Sequence, residues 1–118
     1  MVLSRKKDEA IVINGGYVTL VAVDGDKATV KVSNDSPVVL HRSENGQLVP
    51  IEAAKTEWLL TLEKDELISY SDTLSFVVVD IRGDKVRFGI NSTRDDQVHR
   101  QEIWEAINRE YEKRPKSS

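Results

Sequence analysis

Three groups of basic side chains carry most of the chemistry that this sequence offers. Arg5, Lys6 and Lys7 are adjacent, and a His-Arg pair occurs at His41-Arg42 and again at His99-Arg100. Guanidinium groups hold phosphates and base edges through charge-assisted, often bidentate hydrogen bonds. These groups therefore favour an anionic ligand. The alternative is that the three adjacent bases only protect an edge strand from aggregation, which is a common device.

The two histidines allow a second interpretation, a metal or catalytic pair. His41 and His99 stand at equivalent places before an arginine, so such a pair would have to cross between two halves of the molecule, and a structural hydrogen bond at a strand end is the favoured interpretation. The chain has no cysteine, no Gly-rich phosphate loop and no recognisable nucleophile–base pair. We therefore expect no enzyme activity, no metal site and no cofactor.

An internal repeat surrounds these residues. Segment 21–33 returns at 79–91, and segment 39–42 returns at 97–100, both 58 positions later. Residues 3–9 return at 60–66, which is 57 positions later. Two copies of one short unit predict a body with a pseudo-twofold axis, in which any site occurs twice unless one copy has been lost.

Length and composition bound the class of protein. At 118 residues, 39% hydrophobic and 31% charged, the two repeats are expected to share one core. With no apolar run that could span a bilayer and no leader, we expect a soluble cytoplasmic protein without a membrane partner. The net charge of −3 argues mildly against nucleic acid, although residues 1–44 carry six basic and six acidic side chains.

Turn signals divide the first repeat into five short strands with no helix, at 2–5, 10–13, 17–23, 28–33 and 38–42. After it, Asn45-Gly46 could turn a hairpin into a strand at 47–51, or the segment could be a linker with a helical turn at 52–55. The linker is the favoured interpretation. It divides the chain into a first repeat (1–44), a linker (45–57) and a second repeat (58–118).

The second repeat predicts strands at 58–62, 67–70, 74–81, 86–91 and 96–100. A helix should follow over 101–113, because Ile103, Trp104, Ile107 and Tyr111 fall on one stripe and Pro115 ends it. We interpret the two aromatic residues of this stripe as packing residues.

With these elements in place, two segments carry a resemblance to a known family. They are Val-Arg-Phe-Gly-Ile-Asn at 86–91 and Val-His-Arg-Gln-Glu-Ile at 98–103. The chain resembles a tandem version of the bacterial carbon storage regulator family, called CsrA or RsmA. The second repeat matches nearly without gaps. The first matches at 3–6, at its hairpin and at 40–42, and departs at 30–33.

The resemblance implies a fold and a function. Members of the family are intertwined homodimers of five-stranded chains, each with a C-terminal helix. Each of their RNA sites pairs the first strand of one subunit with the last strand of the other, and it recognises GGA in single-stranded or hairpin-loop RNA. This chain would then be a mainly β, intertwined, monomeric pseudo-dimer that regulates translation or mRNA stability through RNA, with no DNA partner. Aromatic content of 6% excludes a base-stacking sheet, so strand backbone and arginine would recognise the RNA.

Cross-pairing of the repeats would create two sites. Site one comprises Leu3, Ser4, Arg5, Lys6, Arg94, Val98, His99 and Arg100. Site two comprises Leu60, Thr61, Leu62, Glu63, Leu40, His41 and Arg42, with Ser36 in the place of Arg94. Because Leu62 and Glu63 replace two bases, we expect site two to be impaired and site one to work alone. The competing hypothesis is a protein-interaction module on the same scaffold that has lost RNA binding.

Overall fold

The structure, a computed structural model, describes residues 1–13, 15–92 and 99–100. The regular elements of these residues are all β-strands, and the helix predicted over 101–113 lies outside them, as does most of the strand predicted at 96–100. The strands are β1 Val2–Lys6, β2 Ala10–Ile13, β3 Gly16–Asp24, β4 Lys27–Val38, β5 His41–Glu44, β6 Gln47–Pro50, β7 Lys55–Glu63, β8 Leu67–Ser69, β9 Ser75–Arg82, β10 Lys85–Asn91 and β11 His99–Arg100. No helix of the described part is long and apolar enough to cross a membrane.

The strands form two antiparallel sheets, which confirms the prediction of a mainly β fold. Sheet A has the order β1-β10-β9-β8-β5-β6, and sheet B has the order β11-β2-β3-β4-β7. Strands are exchanged between the halves of the chain. The N-terminal strand β1 pairs with β10 far along the sequence, while β7 pairs back with β4.

Period-two alternation explains why these segments are strands with one buried face. In β7, Trp58, Leu60 and Leu62 are buried and the residues between them are exposed. The inward side chains of both sheets make one hydrophobic cluster. Within it the rings of Phe76 and Phe88 meet edge to face, with centroids 6.5 Å apart. Each such buried side chain contributes roughly 1.5–3 kcal/mol, so the core fixes which face of each strand is outward.

The same turn follows β1 and β7. Asp8 and Asp65 both have positive φ, 71° and 70°. The backbone N–H of each donates at 2.7 Å to a carbonyl of the next-but-one strand, Leu20 and Val78 respectively. Aspartate tolerates this left-handed conformation better than most residues. The two turns therefore position the strands that follow them in the same way.

The structure of the segment between the repeats contradicts its favoured interpretation as a linker. Residues 47–50 form β6, which pairs with β5 through a two-residue turn at Asn45-Gly46, and residues 52–55 form no helical turn. Both turn residues have positive φ, 51° and 79°, the combination that a type I′ hairpin requires and that Asn-Gly supplies. The linker with a helical turn is therefore wrong, and the hairpin alternative describes the segment. The strand predicted at 38–42 also begins too early, because Val38 belongs to β4 and pairs with Lys55.

Candidate nucleic-acid interface

The first strand of site one lies at an edge of sheet A, and its side chains alternate between two faces. Leu3 and Arg5 point inward and are each 5% exposed, whereas Ser4 and Lys6 are exposed. The register with β10 places Ser4 opposite Arg87. Of these four residues, only Ser4 and Lys6 can contact a ligand on the outer face of the sheet.

Arg5 is therefore a structural residue in the contacts described. Its Nε donates to the carbonyl of Ser4 at 2.8 Å, and its Nη1 donates to the carbonyl of Ala10 at 3.2 Å. The Glu9 carboxylate lies 4.0 Å from Nε. A buried charge is expensive unless it is hydrogen-bonded and paired, and these contacts provide that compensation. The guanidinium holds together the turn between β1 and β2.

The last strand of site one is brought close to this turn. In β11, His99 pairs with Val12 and Arg100 with Ile11 of β2, and β2 follows β1 after the turn. The fold thus places β1 at an edge of sheet A and β11 at an edge of sheet B. Arg94 and Val98, the other members of site one, lie outside the described residues.

Site two has a first strand of different chemistry. Leu60 and Leu62 of β7 are buried, so Leu62 is a core residue and not a surface position that has lost a charge. Thr61 Oγ1 lies 3.2 Å from Thr29 Oγ1, a hydrogen bond between β7 and β4. Glu63 Oε1 lies 4.0 Å from Lys27 Nζ. Its carboxylate therefore already has a cation from the protein beside it.

The other strand of site two is enclosed. His41 and Arg42 of β5 are half-buried, and Leu40 before them is fully buried. β5 pairs with β8 on one side and with β6 on the other, so both edges of its backbone are occupied. The Nε of Arg42 is buried without a hydrogen-bond partner in the described part of the chain. Ser36, which stands in the place of Arg94, is exposed in β4.

Sequence reasoning missed a group of cations beside β1. A depression of about 210 Å³ on the outer face of sheet A is lined by Ser4, Asp80, Arg82, Lys85 and Arg87. Arg82 Nε donates to Asp80 Oδ2 at 2.7 Å, and this hydrogen bond lowers the pKa of Asp80 below its ordinary value of 3.8. The alternation of β10 was the available signal, since Lys85 and Arg87 are two positions apart. Among the described residues, no group of three or more histidine or acidic side chains is placed to hold a metal ion.

Comparison with known proteins finds similarity in the second half of the sequence. A family model for CsrA, described as a global regulator protein family, matches residues 58–109. The translational regulator CsrA of Rhodopirellula baltica is 44% identical over 54 residues, which is 46% of this chain and 77% of that protein. No solved structure gives a significant match.

The chain belongs to the CsrA family, as its motifs predicted. The family description and the relative's name both denote a regulator and not a catalyst, which agrees with the prediction that the chain is not an enzyme. The matched segment covers the second half of the sequence, and the tandem arrangement of two repeats stays a prediction.

Proposed function

We propose that this chain is a cytoplasmic, RNA-binding post-transcriptional regulator that recognises GGA in mRNA leaders or small RNAs and acts on translation or mRNA stability. Membership of the CsrA family carries this proposal, together with a relative named as a translational regulator. Placement of β1 at an edge of sheet A and of β11 at an edge of sheet B supports it, because the family's RNA site combines these two kinds of strand.

The proposed architecture is a pseudo-dimer closed within one polypeptide. Its support is the reciprocal exchange of strands: β1 pairs with β10, and the equivalent β7 pairs with β4 in the same register. The bulges in β3 and β9 are also equivalent, with one extra residue at Val21 and at Val79. We expect a compact monomer near 13.3 kDa. Sedimentation or light scattering that shows only a stable dimer would contradict this architecture.

Only one of the two proposed sites is expected to bind RNA. At the outward position of the first strand, site one has Lys6 and site two has Glu63. A carboxylate about 4 Å from a phosphate costs roughly 1 kcal/mol in water and about 4 kcal/mol at the intermediate dielectric of a protein surface. In addition, β6 pairs with the edge of β5 that the RNA would otherwise contact.

Calorimetric titration with a short GGA hairpin tests both statements. We expect saturation at one RNA per chain and much weaker binding to a hairpin of equal length in which GGA is changed to CCU. Lys6→Ala should weaken binding and make the log–log salt dependence shallower by about 0.7, the value for one phosphate contact of a single strand. Glu63→Gln on the other face is the matched control and should leave affinity unchanged. Equal binding of both hairpins would contradict GGA recognition.

The second candidate function, a protein-interaction module without RNA binding, has one observation in its favour. β6 forms an outer edge of sheet A and exposes Leu48 and Val49, whose exposed fractions are 56% and 38%. An exposed apolar edge strand can pair with another chain. Failure of the protein to bind either hairpin would favour this function over the first.

A further inference from the structure

Four exposed cations cluster on the outer face of sheet A, beside the strand that site one shares. We call this cluster the basic face, and it consists of Lys6, Arg82, Lys85 and Arg87. Three of its members line the depression of about 210 Å³ together with Ser4 and Asp80. None of the four contributes to the hydrophobic core, so packing does not explain them.

Three of the four cations of the basic face have no carboxylate within ion-pair distance among the described residues. Lys6 and Lys85 stand directly opposite each other in the antiparallel pair of β1 and β10, and like charges in that position destabilise a sheet. Asp80 is the acidic residue of the depression, and its carboxylate is engaged by Arg82 at 2.7 Å. Within the described ranges, no carboxylate lies within ion-pair distance of the side chain of Lys6, Lys85 or Arg87. Three cations are therefore available to an anion from outside.

The corresponding face of sheet B shows what the sheet itself requires. There Lys27 stands opposite Glu63, with Nζ and Oε1 4.0 Å apart, and Thr29 is hydrogen-bonded to Thr61 at 3.2 Å. These pairs are complementary, and they occupy the same register as Lys85 with Lys6 and Arg87 with Ser4. Because a complementary solution exists at one face, the repulsive arrangement at the other is not needed for folding.

We propose that the basic face binds phosphate groups of the RNA nucleotides that flank the GGA element held at site one. This inference rests on the proposed function, because Lys6 belongs both to site one and to the basic face. Lys85 and Arg87 are two strand positions apart, about 7 Å along the strand, so they contact different phosphates. The contacts carry affinity and orientation without sequence preference.

The test uses two RNAs and two double variants of the full chain. One RNA is a minimal single-stranded GGA oligonucleotide, and the other carries the same element between flanking nucleotides on both sides. The variants are Lys85→Ala with Arg87→Ala on the basic face, and Lys27→Ala with Thr29→Ala at the equivalent positions of sheet B. Thermal unfolding checks that both variants fold.

We expect the basic-face variant to bind the flanked RNA about tenfold or more weakly at low salt, with a log–log salt slope shallower by about 1.4 for two lost contacts. Its affinity for the minimal RNA should stay within about twofold of the wild type, since that RNA does not reach these phosphates. The sheet B variant should bind both RNAs as the wild type does.

Three results would overturn the inference: unchanged affinity for the flanked RNA, equal weakening for both RNAs, or equal weakening by both double variants. Each would remove the basic face as a distinct phosphate site while leaving GGA recognition by the wild type intact. A separate measurement addresses the proposed function alone. If the wild type binds the flanked GGA RNA no better than a flanked CCU control, GGA recognition fails, whatever the variants do.

Discussion

Substitution of Arg5, a buried residue of β1, tests whether its side chain stabilises the fold. Arg5 pairs with Val86 across the sheet, and the equivalent Leu62 pairs with Ala28. Arg5→Ala removes a side chain that is 5% exposed and its two hydrogen bonds to backbone carbonyls. Lost packing and lost charged hydrogen bonds together predict a cost of about 2–4 kcal/mol.

Arg5→Leu should behave differently, because the other half of the molecule already uses leucine at this position. Replacement of a buried ionic group by a well-packed hydrophobic residue is often neutral or stabilising, so we expect stability within about 1 kcal/mol of the wild type. Urea and thermal unfolding measure both variants, and about 4 °C in Tm corresponds to 1 kcal/mol for a domain of this size. If Arg5→Leu loses as much stability as Arg5→Ala, the reasoning is refuted, because the guanidinium contacts and not the filled volume would then hold the turn.

Arg5→Leu also separates the structural role of Arg5 from its predicted role in site one. A variant that folds as well as the wild type but binds GGA RNA about 1–3 kcal/mol more weakly would assign the guanidinium to RNA binding. Unchanged affinity would leave Lys6 as the contributing cation of β1.

Four further substitutions test the backbone, the core and its polar links. Gly16→Ala should destabilise the fold by several kcal/mol or prevent folding, because a Cβ there would overlap the backbone carbonyl oxygen of Ser33. Gly25→Ala, at φ +62° in open space, should cost about 1–2 kcal/mol in thermal unfolding. Tyr70→Phe should cost about 1–2 kcal/mol in urea unfolding, because the amide N–H of Asn34 donates to the Tyr70 hydroxyl, while Tyr17→Phe at an exposed site should change little. Burial raises the pKa of Tyr70 above 10.0, so the unfolded chain loses this proton first and wild-type stability should fall as pH rises past 10, a loss that Tyr70→Phe should lack. Leu62→Arg should cost about 1–3 kcal/mol, because it forces a longer, charged side chain into a fully buried site.

The last of these changes depends on a distinction between inward and outward residues that the family motif does not make. Arg5 and Lys6 were grouped as one basic site because both match the family's motif. Period-two alternation already predicts that Arg5 shares a face with Leu3 and that Lys6 shares the opposite face with Ser4. The burial of Arg5 and of Leu62 was therefore predictable from spacing alone.

Most strands could be predicted because glycine turns and apolar alternation mark them. The hairpin turns at Gly25 and Gly83 have positive φ, 62° and 59°. The strands around them lie within one residue of their predicted bounds, except that β4 continues to Val38. β6 could not be predicted with the same assurance, since all four of its residues are exposed and it shows no hydrophobic periodicity. The Asn45-Gly46 turn was its only signal, and the same segment could also be interpreted as a linker with a helical turn.

If the chain is the fused pseudo-dimer that we propose, covalent fusion gives a physical reason for the asymmetry between the two proposed sites. In a homodimer each substitution appears in both sites, so a carboxylate in place of Lys6 would weaken both at once. In a fused pseudo-dimer, Glu63 can arise in one half and be matched by Lys27, and β6 can close one edge only. On the function we propose, such a regulator would hold one GGA element per chain and gain no avidity from a second element on the same RNA. Its affinity would then have to come from contacts around that single element, which is the role we assign to the basic face.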